Sequence, residues 1–339
     1  MIKAEVLESF RGKNIVITGG TGLIGRRVVE ILRTTGANIS VISLDSISDA
    51  EKFKNVNYVI RDLSCLSTCK ETTKGADFVF HLAGVKGSIV VTKEKPASFF
   101  VPLLMMNTNV LEACRLNRVR KIIYTSSIGA YANAEIFREG ENTNGPPMDE
   151  FPGWAKRMAE LQIEAYRIQY GLTNFAIVRP CNVYGPGDNF DPENAMVIPS
   201  LMNKIRRGDN PVEIWGDGSA VRDFLHSNDA AEGIILALHY GTRHEKGNFV
   251  NIGSGQGYSI KELVSAMKLV VDFNFKFCPE KAAGFSRRVM DISLAKRVIH
   301  FEPKVTLVEG LKETWGWFLK HSDEYLTRKN YFKENENDR

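Results

Sequence analysis

The chain has 339 residues, of which 44 are basic and 40 acidic, and its formal net charge is only +4. So small an excess predicts no nucleic-acid partner, and no run approaches the roughly 18 consecutive apolar residues of a membrane span. The mixed, charged segment Met1 to Lys13 lacks the apolar stretch of a secretion signal, so we expect a cytoplasmic protein without a membrane partner.

Short apolar runs alternate with helical patterns through the first half of the chain. The sequence predicts strands at residues 14–18, 38–43, 56–60, 78–81, 121–125 and 174–179, and helices at 26–34, 100–116 and 154–170. Phe249 to Gly253 predicts a further strand that returns to the main sheet. This alternation predicts an α/β fold, a Rossmann-type doubly wound parallel sheet with a smaller C-terminal α/β domain.

The character of the sequence changes after Tyr184, where Gly185-Pro186-Gly187-Asp188 predicts a loop and shorter elements follow. We predict a first domain over residues 1–182, to which 225–252 returns, and a second over 183–224 and 253–326. The polar, charged residues 327–339 predict a flexible tail. The five cysteines are odd in number and scattered, which predicts neither a disulfide framework nor a metal site.

A glycine-rich turn follows the first predicted strand and opens the first helix. Gly19, Gly22 and Gly25 have G-x-x-G-x-x-G spacing, which lets the backbone turn tightly and approach a pyrophosphate at the helix N-terminus. The turn therefore predicts a dinucleotide cofactor. The residues expected to contact it are Gly19, Thr21, Gly22, Leu23, Ile24 and Gly25.

Asp45 ends the second strand, about 20 residues after the last glycine, where a carboxylate binds ribose hydroxyls and repels a 2′-phosphate. Neither arginine nor lysine follows it directly, so the sequence favours NAD over NADP. Two alternatives stay open. Arg26 and Arg27 can reach a phosphate, and Asp45 can instead cap a turn.

Further cofactor contacts are expected where the next two strands end. Asp62 and Leu63 follow the third strand, at the place for an adenine, and Leu82, Ala83 and Gly84 follow the fourth, where small residues leave room. Asn109, in the next helix, is expected to brace the active-site backbone. Alternatively, the Asn109 amide lies on the helix surface without that role.

These residues together resemble the extended short-chain dehydrogenases/reductases that modify nucleotide sugars, over roughly residues 13 to 318. Within that group the chain is most similar to the GDP-fucose synthase branch. The segments that carry the resemblance are Arg179-Pro180-Cys181-Asn182-Val183-Tyr184-Gly185-Pro186, Asp188-Asn189-Phe190-Asp191-Pro192, Val197-Ile198-Pro199, Trp215-Gly216-Asp217-Gly218 and Arg222-Asp223-Phe224-Leu225-His226. The resemblance implies a GDP-linked sugar as substrate and a homodimer formed through a helix pair.

The resemblance also implies roles for single residues. Thr125-Ser126-Ser127 matches the catalytic serine motif, with Ser127 as the partner of the reacting sugar oxygen, and Lys156 matches the lysine that binds the nicotinamide ribose. Thr125 and Pro180 would line the cofactor, and Ser126 would assist catalysis. The positions expected to hold the nucleotide sugar are Asn182, Val197, Arg222 and either Arg287 or Arg288, although the arginines can also be a solvated surface pair.

Three positions depart from the family pattern. Pro152 stands where the family has the tyrosine of its Tyr-x-x-x-Lys pair. Gly129 and Met196 stand where GDP-fucose synthases have an acid/base cysteine and histidine, and neither side chain can exchange a proton. We therefore expect no double epimerisation at C3 and C5. Ile128-Gly129 also replaces the Asp-Glu pair of sugar 4,6-dehydratases, so that reaction is not expected either.

The sequence leaves the proton carrier open. Tyr131, Lys156 and a water relay are the alternatives to the missing tyrosine. Asp149 and Glu150, beside Pro152, are further alternatives, and both can equally be helix caps. Pro152 itself suits the first turn of a helix, where the missing N–H costs nothing.

Three functions fit these observations. The first is an NAD-dependent epimerase or dehydrogenase that transfers hydride at a ring hydroxyl, at C4, of a nucleotide sugar. The second is a protein that binds cofactor and sugar without catalysis, which the loss of proton-exchanging residues favours. The third, an NADP-dependent 4-ketosugar reductase, is opposed by Asp45. Retention of Ser127, Lys156, Asn182 and Arg222 favours an enzyme.

Overall fold

The computed structural model describes residues 2–45, 47–48, 51–85, 87, 89–141, 143–192, 194–245, 247–281 and 284–326. The predicted tail at 327–339 lies outside the described residues. The strands, numbered along the chain, are β1 (Asn14–Thr18), β2 (Asn38–Ser43), β3 (Val56–Ile60), β4 (Phe78–His81), β5 (Lys121–Thr125), β6 (Ile136–Phe137), β7 (Phe175–Pro180), β8 (Asn182–Tyr184), β9 (Val212–Trp215), β10 (Val221–Arg222), β11 (Phe224–His226), β12 (Val250–Ile252), β13 (Tyr258–Ser259), β14 (Phe275–Cys278) and β15 (Arg287–Met290).

The helices are α1 (Ala4–Glu8), α2 (Leu23–Leu32), α3 (Leu66–Thr73), α4 (Ile89–Glu94), α5 (Pro96–Leu116), α6 (Glu150–Tyr170), α7 (Val197–Arg207), α8 (Ser227–Tyr240), α9 (Ile260–Lys268), α10 (Ser293–Ile299) and α11 (Leu307–Leu326). All three predicted helices begin earlier than the apolar periodicity indicates, with α2 beginning at Leu23 and not at residue 26. Proline suits a first helical turn, so α5 begins at Pro96. Because α6 begins at Glu150, Pro152 lies in its first turn, as predicted.

Seven strands form one parallel sheet in the order β12-β7-β5-β4-β1-β2-β3. The predicted Rossmann-type α/β fold is confirmed. β12 pairs with β7, Val250 opposite Val178, so the predicted strand near residue 250 does return to the main sheet. Apolar side chains fill the central strands because helices cover both faces of a parallel sheet.

The register of the sheet places the candidate site at one edge. Thr18 is opposite His81, His81 is opposite Tyr124, and Thr125 is opposite Val178. The carboxyl ends of β1, β4, β5 and β7 therefore lie together. In open parallel sheets ligands bind beyond these ends.

Shorter strands lie beside this edge. β13-β10-β15-β6 form a four-stranded sheet, in which Val289 of β15 is opposite Ile136 of β6. β6 follows the serine motif, Thr125-Ser126-Ser127, and its turn in the chain. This pairing therefore places β15 close to that motif. A separate apolar core supports the C-terminal elements, with Phe190 stacked on Phe318 at 4.0 Å between ring centroids.

Among the described helices, α5 alone has the length and the mean hydropathy, 1.2, of a membrane span. Asn107, Thr108 and Asn109 interrupt its apolar residues, so α5 contains no run of 18 consecutive apolar residues, and the absence of a membrane partner stays a prediction. Core helices of globular proteins have the same properties. α5 packs against α3 and α6, and Leu103, Val110 and Leu111 are buried in the core.

Candidate active site

The glycine turn between β1 and α2 has no room for a side chain at Gly19 or Gly25. A Cβ at Gly19 would lie 2.7 Å from the Ala83 Cα, and one at Gly25 would lie 2.8 Å from the Gly20 Cα. Gly22 differs, because a Cβ there would approach only the Gly19 carbonyl oxygen, at 3.4 Å. Gly22 also precedes α2 without any side chain capping the helix. This helix N-terminus can therefore accept a diphosphate on its backbone N–H groups.

Beside this turn lies a cavity of about 70 Å³, lined in part by Thr21, Ser43, Asp45, Lys52 and Tyr58. Thr21 Oγ1 donates to Ser43 Oγ at 3.0 Å and holds the end of β2 against the turn. Asp45 thus faces the space next to the diphosphate position, where its carboxylate can accept hydrogen bonds from ribose hydroxyls. The turn and the uncapped helix suit the diphosphate of a dinucleotide, and Asp45 suits its ribose.

Arg26 and Arg27 are held by other carboxylates. Arg26 Nη1 lies 3.5 Å from Glu51 Oε1. Arg27 contacts Glu30 and Glu313, each at 2.6 Å. The alternative in which these arginines bind a 2′-phosphate would require both sets of ion pairs to break.

Asp62 and Asn109 both hold the loop after β3. The Asp62 carboxylate accepts hydrogen bonds from the Ser64 N–H and hydroxyl, each at 2.8 Å, and Asn109 Nδ2 donates to the Ser64 carbonyl at 2.7 Å. Asn109 is therefore neither a surface amide nor a brace of the serine motif. It supports the loop on which Asp62 lies.

Several apolar residues predicted to touch the cofactor direct their side chains into the core. Leu63 is 5% exposed and packs there, so a contact through its side chain is excluded. Leu23, Ile24 and Leu82 pack partly against the other large core cluster, and Pro180 is buried at the end of β7. These residues can meet a cofactor mainly through their backbone.

A buried hydrogen-bond network lies beneath the candidate nicotinamide position. His81 bonds Thr18 Oγ1 at 2.8 Å and Asn107 Oδ1 at 3.1 Å, and Asn107 Nδ2 donates to the Tyr124 hydroxyl at 3.0 Å. Burial, helped by the positive charge of Lys156, lowers the pKa of His81 to about 3, so its ring is neutral. The network fixes the ends of β1, β4 and β5 relative to one another.

Lys156 extends from α6 so that its Nζ lies at the carboxyl end of β5. Its Nζ donates to the Thr125 carbonyl at 2.7 Å and lies 5.3 Å from the centroid of the Tyr124 ring. A Cβ at Gly84 would approach this Nζ to 3.7 Å. Burial lowers the pKa of Lys156 to about 8. The structure thus brings together Gly84, Thr125 and Lys156, three of the predicted cofactor residues.

Ser126 does not have the predicted catalytic position. Its side chain is 3% exposed and its hydroxyl donates to Glu160, which also binds Arg179 through two hydrogen bonds. The serine is therefore held in a buried ion-pair network. It fixes the strand end from which Ser127 projects.

Tyr131 is also excluded as a proton carrier. Its side chain is fully buried, and its hydroxyl donates to Asn251 Oδ1 at 2.8 Å. Arg179 stacks on the ring, 4.2 Å from its centroid. Burial raises the pKa of Tyr131 well above its usual value. This tyrosine belongs to the core between the two sheets.

Ser127 remains half-buried and begins the short 3-10 turn Ile128–Ala130, with its Oγ accepting a hydrogen bond from the Gly129 N–H at 3.0 Å. Asp149 lies against this turn, because a Cβ at Gly129 would be 2.6 Å from the Asp149 Cγ. Asp149 precedes α6, but its side chain makes no capping hydrogen bond, so its interpretation as a helix cap is wrong. Its Oδ1 instead accepts a hydrogen bond from Arg288 Nη2 at 3.2 Å.

The structure distinguishes between the two candidate arginines of β15. Arg288 is opposite Arg222 in the parallel pair β10–β15, and Arg287 is opposite Val221. Residues directly opposite project from the same face of a sheet, and successive residues alternate, so Arg288 and not Arg287 shares a face with Arg222. Burial, and after it the positive charge of Arg288, lowers the pKa of Arg222 to about 10. Two guanidinium groups this close are suited to a diphosphate.

The remaining predicted sugar contacts are placed by neighbouring elements. Asn182, on β8, donates from Nδ2 to the Asp223 carbonyl at 3.1 Å. Asp223 directly follows Arg222 in the chain, so Asn182 lies close to that arginine. Val197 is the first residue of α7 and is 36% exposed. The role of Val197 in substrate binding stays a prediction.

The model of the NAD dependent epimerase/dehydratase family matches residues 15–253. The chain belongs to this family. It is 32% identical over 331 residues to the probable GDP-L-fucose synthase 1 of Oryza sativa subsp. japonica, covering 92% of this chain and 93% of the relative. It is 28% identical to the dTDP-4-dehydro-6-deoxy-D-allose reductase of Streptomyces bikiniensis, covering 93% and 99%. The structure of UDP-glucose 4-epimerase with UDP-glucose from Thermotoga maritima superposes with a TM-score of 0.77 at 28% identity, covering 91% and 99%.

These relatives confirm the resemblance drawn from the sequence, and the family acts on nucleotide sugars by epimerisation and reduction. Sequence reasoning overlooked Glu160 and left Asp149 open between a helix cap and a substitute for the tyrosine. A signal was present for each. Glu160 follows Lys156 by one helical turn and so lies on the same face of α6. A glycine two residues after Ser127 indicates that another group occupies the space of its side chain.

Proposed function

We propose that this protein is an NAD-dependent epimerase or dehydrogenase that transfers hydride at a ring hydroxyl, at C4, of a nucleotide sugar. The observation that carries the proposal is the position of Lys156. Its ammonium group is held on the Thr125 carbonyl beside Gly84, at the strand ends reached from the glycine turn. A binding protein without chemistry has no physical need of a buried lysine at this point.

The preference for NAD is supported by the surroundings of Asp45. This carboxylate lines the cavity next to the glycine turn, and it would repel a 2′-phosphate. Arg26 and Arg27 are engaged by Glu51, Glu30 and Glu313. Lys52 lines the same cavity, so the ratio of NAD to NADP affinity has to be measured by titrating both cofactors.

The nucleotide-sugar proposal is supported by Arg222 and Arg288 on one face of the smaller sheet. Their guanidinium groups would bind the diphosphate, and Asn182 would bind a neighbouring polar group of the substrate. The relative of Oryza sativa is named for a GDP-linked sugar, which favours guanosine as the base. A bound nicotinamide would accept a hydride from the substrate and return it.

The position of each residue in this site is compatible with one role in the proposed reaction. Lys156 would hold the nicotinamide ribose and add positive charge next to the reacting oxygen. Ser127, half-buried at the start of its turn, would hydrogen-bond that oxygen. The buried network of His81, Asn107 and Tyr124 would keep the strand ends rigid. Pro152 provides no proton exchange, so another group has to supply it.

The test is to mix the purified protein with NAD or NADP and a panel of GDP-, UDP- and dTDP-sugars, including 4-ketosugars. Nicotinamide absorbance reports hydride transfer, and NMR with mass spectrometry identifies the sugar products. We expect turnover of at least one sugar with NAD, and loss of most of that turnover in Lys156→Met. Turnover of a 4-ketosugar with NADPH alone would replace this proposal with the reductase.

Pro152 and the buried position of Tyr131 favour a second candidate, a protein that binds the cofactor and a nucleotide sugar without catalysis. Calorimetric titration distinguishes the two. Tight binding of NAD and of a GDP-sugar, without reduced nicotinamide or a new sugar in any reaction, would support the second candidate and exclude the first.

We also propose that the protein forms a homodimer through α5 and α6. α6 exposes an apolar stripe at alternating spacings of three and four residues, formed by Phe151, Trp154, Met158 and Leu161, the pattern of a helix that packs on another helix. α5 adds the exposed Met105. Sedimentation velocity should give a dimer for the wild type, a monomer for Leu161→Glu, and a dimer for the control Gln169→Glu.

A further inference from the structure

We propose that the Asp149 carboxylate exchanges the proton of the reacting sugar hydroxyl, and so replaces the tyrosine that is absent at position 152. This inference rests on the proposed function, because it assigns a residue to that reaction. It concerns the proton carrier, which the sequence leaves open. Three observations about Asp149 carry it.

The first observation is where the carboxylate lies. Its Cγ would be 2.6 Å from a Cβ at Gly129, so it occupies the space in front of the turn that begins at Ser127. The Gly129 N–H donates to Ser127 Oγ at 3.0 Å, which places the serine hydroxyl on the same small turn. A sugar oxygen bound by Ser127 would therefore lie close to this carboxylate.

The second observation is the geometry of the helix start. An aspartate before a helix normally accepts a hydrogen bond from the first turn, but Asp149 makes none. The next residue, Glu150, has φ +42, a left-handed conformation that is costly for a residue with a side chain. The helix start is thus strained, and the Asp149 side chain is directed away from the helix. Such strain commonly accompanies a functional constraint.

The third observation is the charge around Asp149. Arg288 Nη2 donates to its Oδ1 at 3.2 Å, and Arg288 is 6% exposed, whereas the Asp149 side chain is 37% exposed. The carboxylate is therefore oriented by a buried partner and remains accessible from the cleft. Because Arg288 shares a face with Arg222, Asp149 lies between the serine turn and the proposed diphosphate site.

The proposed step is the oxidation of the sugar hydroxyl to a ketone. The hydroxyl O–H bond breaks and its proton moves to an Asp149 oxygen, the C–H bond on the same carbon breaks, and its hydride goes to the oxidised nicotinamide. The electron pair of the O–H bond forms the C=O double bond. In the return direction the protonated Asp149 gives its proton back to the oxygen. A positioned general base of this kind contributes about 100- to 10,000-fold in rate.

The experiment compares Asp149→Asn and Asp149→Ala with the matched control Glu150→Gln, which removes an exposed carboxylate one residue away. We expect both Asp149 variants to lose about 100-fold or more in kcat, and Glu150→Gln to stay within threefold of the wild type. NAD and GDP binding should remain in all three. Added formate, a small carboxylate, should restore turnover in Asp149→Ala and not in Lys156→Met.

A second measurement tests the placement of Asp149 without relying on activity. Gly129→Ala should lower the unfolding temperature, because its methyl group overlaps the Asp149 side chain, Cβ included, and Gly129→Ala combined with Asp149→Gly should recover the stability of Asp149→Gly alone. An unchanged unfolding temperature in Gly129→Ala would overturn the placement. Wild-type turnover with undiminished turnover in Asp149→Asn would overturn the inference and leave the proposed function intact. Absence of turnover in the wild type on every sugar would overturn both.

Discussion

At the proposed cofactor end of the cleft the backbone would provide most of the binding surface, whereas at the proposed sugar end charged side chains would provide it. Gly19 and Gly25 allow strand and helix to come within contact distance, and Gly22 leaves the N-terminus of α2 uncapped. At the sugar end Arg222, Arg288 and Asp149 project from two small strands and a helix start. The chemistry of a binding surface formed by backbone atoms does not depend on side-chain identity. The chemistry of a surface formed by side chains changes with each substitution.

The departures from the family pattern follow this division. The glycine turn is complete, whereas Pro152, Gly129 and Met196 all stand where the resemblance leads one to expect proton-exchanging side chains. Gly129 and Asp149 are linked, because the carboxylate occupies the space in front of the glycine. The two proposals together describe a changed catalytic group beside a glycine turn that keeps the family pattern.

The largest effect is expected for Gly25→Ala. The new methyl group would lie 2.8 Å from the Gly20 Cα and overlap the Gly19 carbonyl, and backbone atoms have little freedom to move away. We expect a loss of about 1–3 kcal/mol in stability, and a similar loss in binding free energy would weaken NAD affinity by roughly 10- to 100-fold. Urea unfolding and calorimetric titration measure both.

Gly316→Ala is the control for this substitution, since nothing lies within 4 Å of a Cβ at Gly316 within α11. It should leave NAD binding unchanged and raise stability by up to about 1 kcal/mol. Wild-type NAD affinity in Gly25→Ala would show that the glycine turn is not the dinucleotide site.

For Arg288→Met at the sugar end the expected effect is confined to ligand affinity. Removing a hydrogen-bond donor to a charged group costs about 1.5–3 kcal/mol, roughly a 10- to 100-fold weaker affinity for GDP or UDP. Arg287→Met is the matched control, because it removes the same charge one residue away on the opposite face of β15. Equal losses in both variants would mean that net charge, and not the Arg222–Arg288 pair, binds the diphosphate.

The smallest effect concerns Lys156, which lies between the two ends. Burial lowers its pKa from 10.5 to about 8. Between these values the folded protein has lost a proton that the unfolded chain still binds, so the contribution of this lysine to stability rises with pH across that window. Below about pH 8 both states hold the proton and the cost of burying the charge is complete.

The measurement is the free energy of unfolding of the wild type and of Lys156→Met from pH 7 to 10. Groups other than Lys156 titrate in both proteins, so the difference between the two curves isolates the lysine. That difference should move in favour of the wild type as pH rises above 8. A constant difference would show that the ammonium group is well solvated.

Much of the fold could be predicted because its signals are local. β2, β3, β4 and β5 have the predicted bounds, since each is a short apolar run ended by turn residues. The starts of α5 and α6 were predicted less well, because the first turns contain prolines and polar residues that do not follow the apolar period.

The candidate site divides in the same way. The structure places the Lys156 Nζ on the Thr125 carbonyl and Asp45 in the cavity beside the glycine turn, and their contacts with the cofactor stay predictions. Ser126 and Tyr131 were assigned to catalysis, but one hydroxyl is bound to Glu160 and the other to Asn251. Sequence distance to Ser127 does not tell which side chains face the cleft, because a turn directs neighbouring residues to different sides.

The sequence alone determined the doubly wound sheet, the dinucleotide turn and the family, because spacing along one chain segment is enough to specify a strand, a glycine turn and the helix after it. Only the tertiary structure decided that Arg288 rather than Arg287 accompanies Arg222, and that Asp149 lies over Gly129. Arg222 and Arg288 are more than 60 positions apart in the chain, and Gly129 and Asp149 lie on separate elements. Both facts therefore depend on how separate elements are brought into register. Such register is set by packing of the whole core and leaves no local pattern in the sequence.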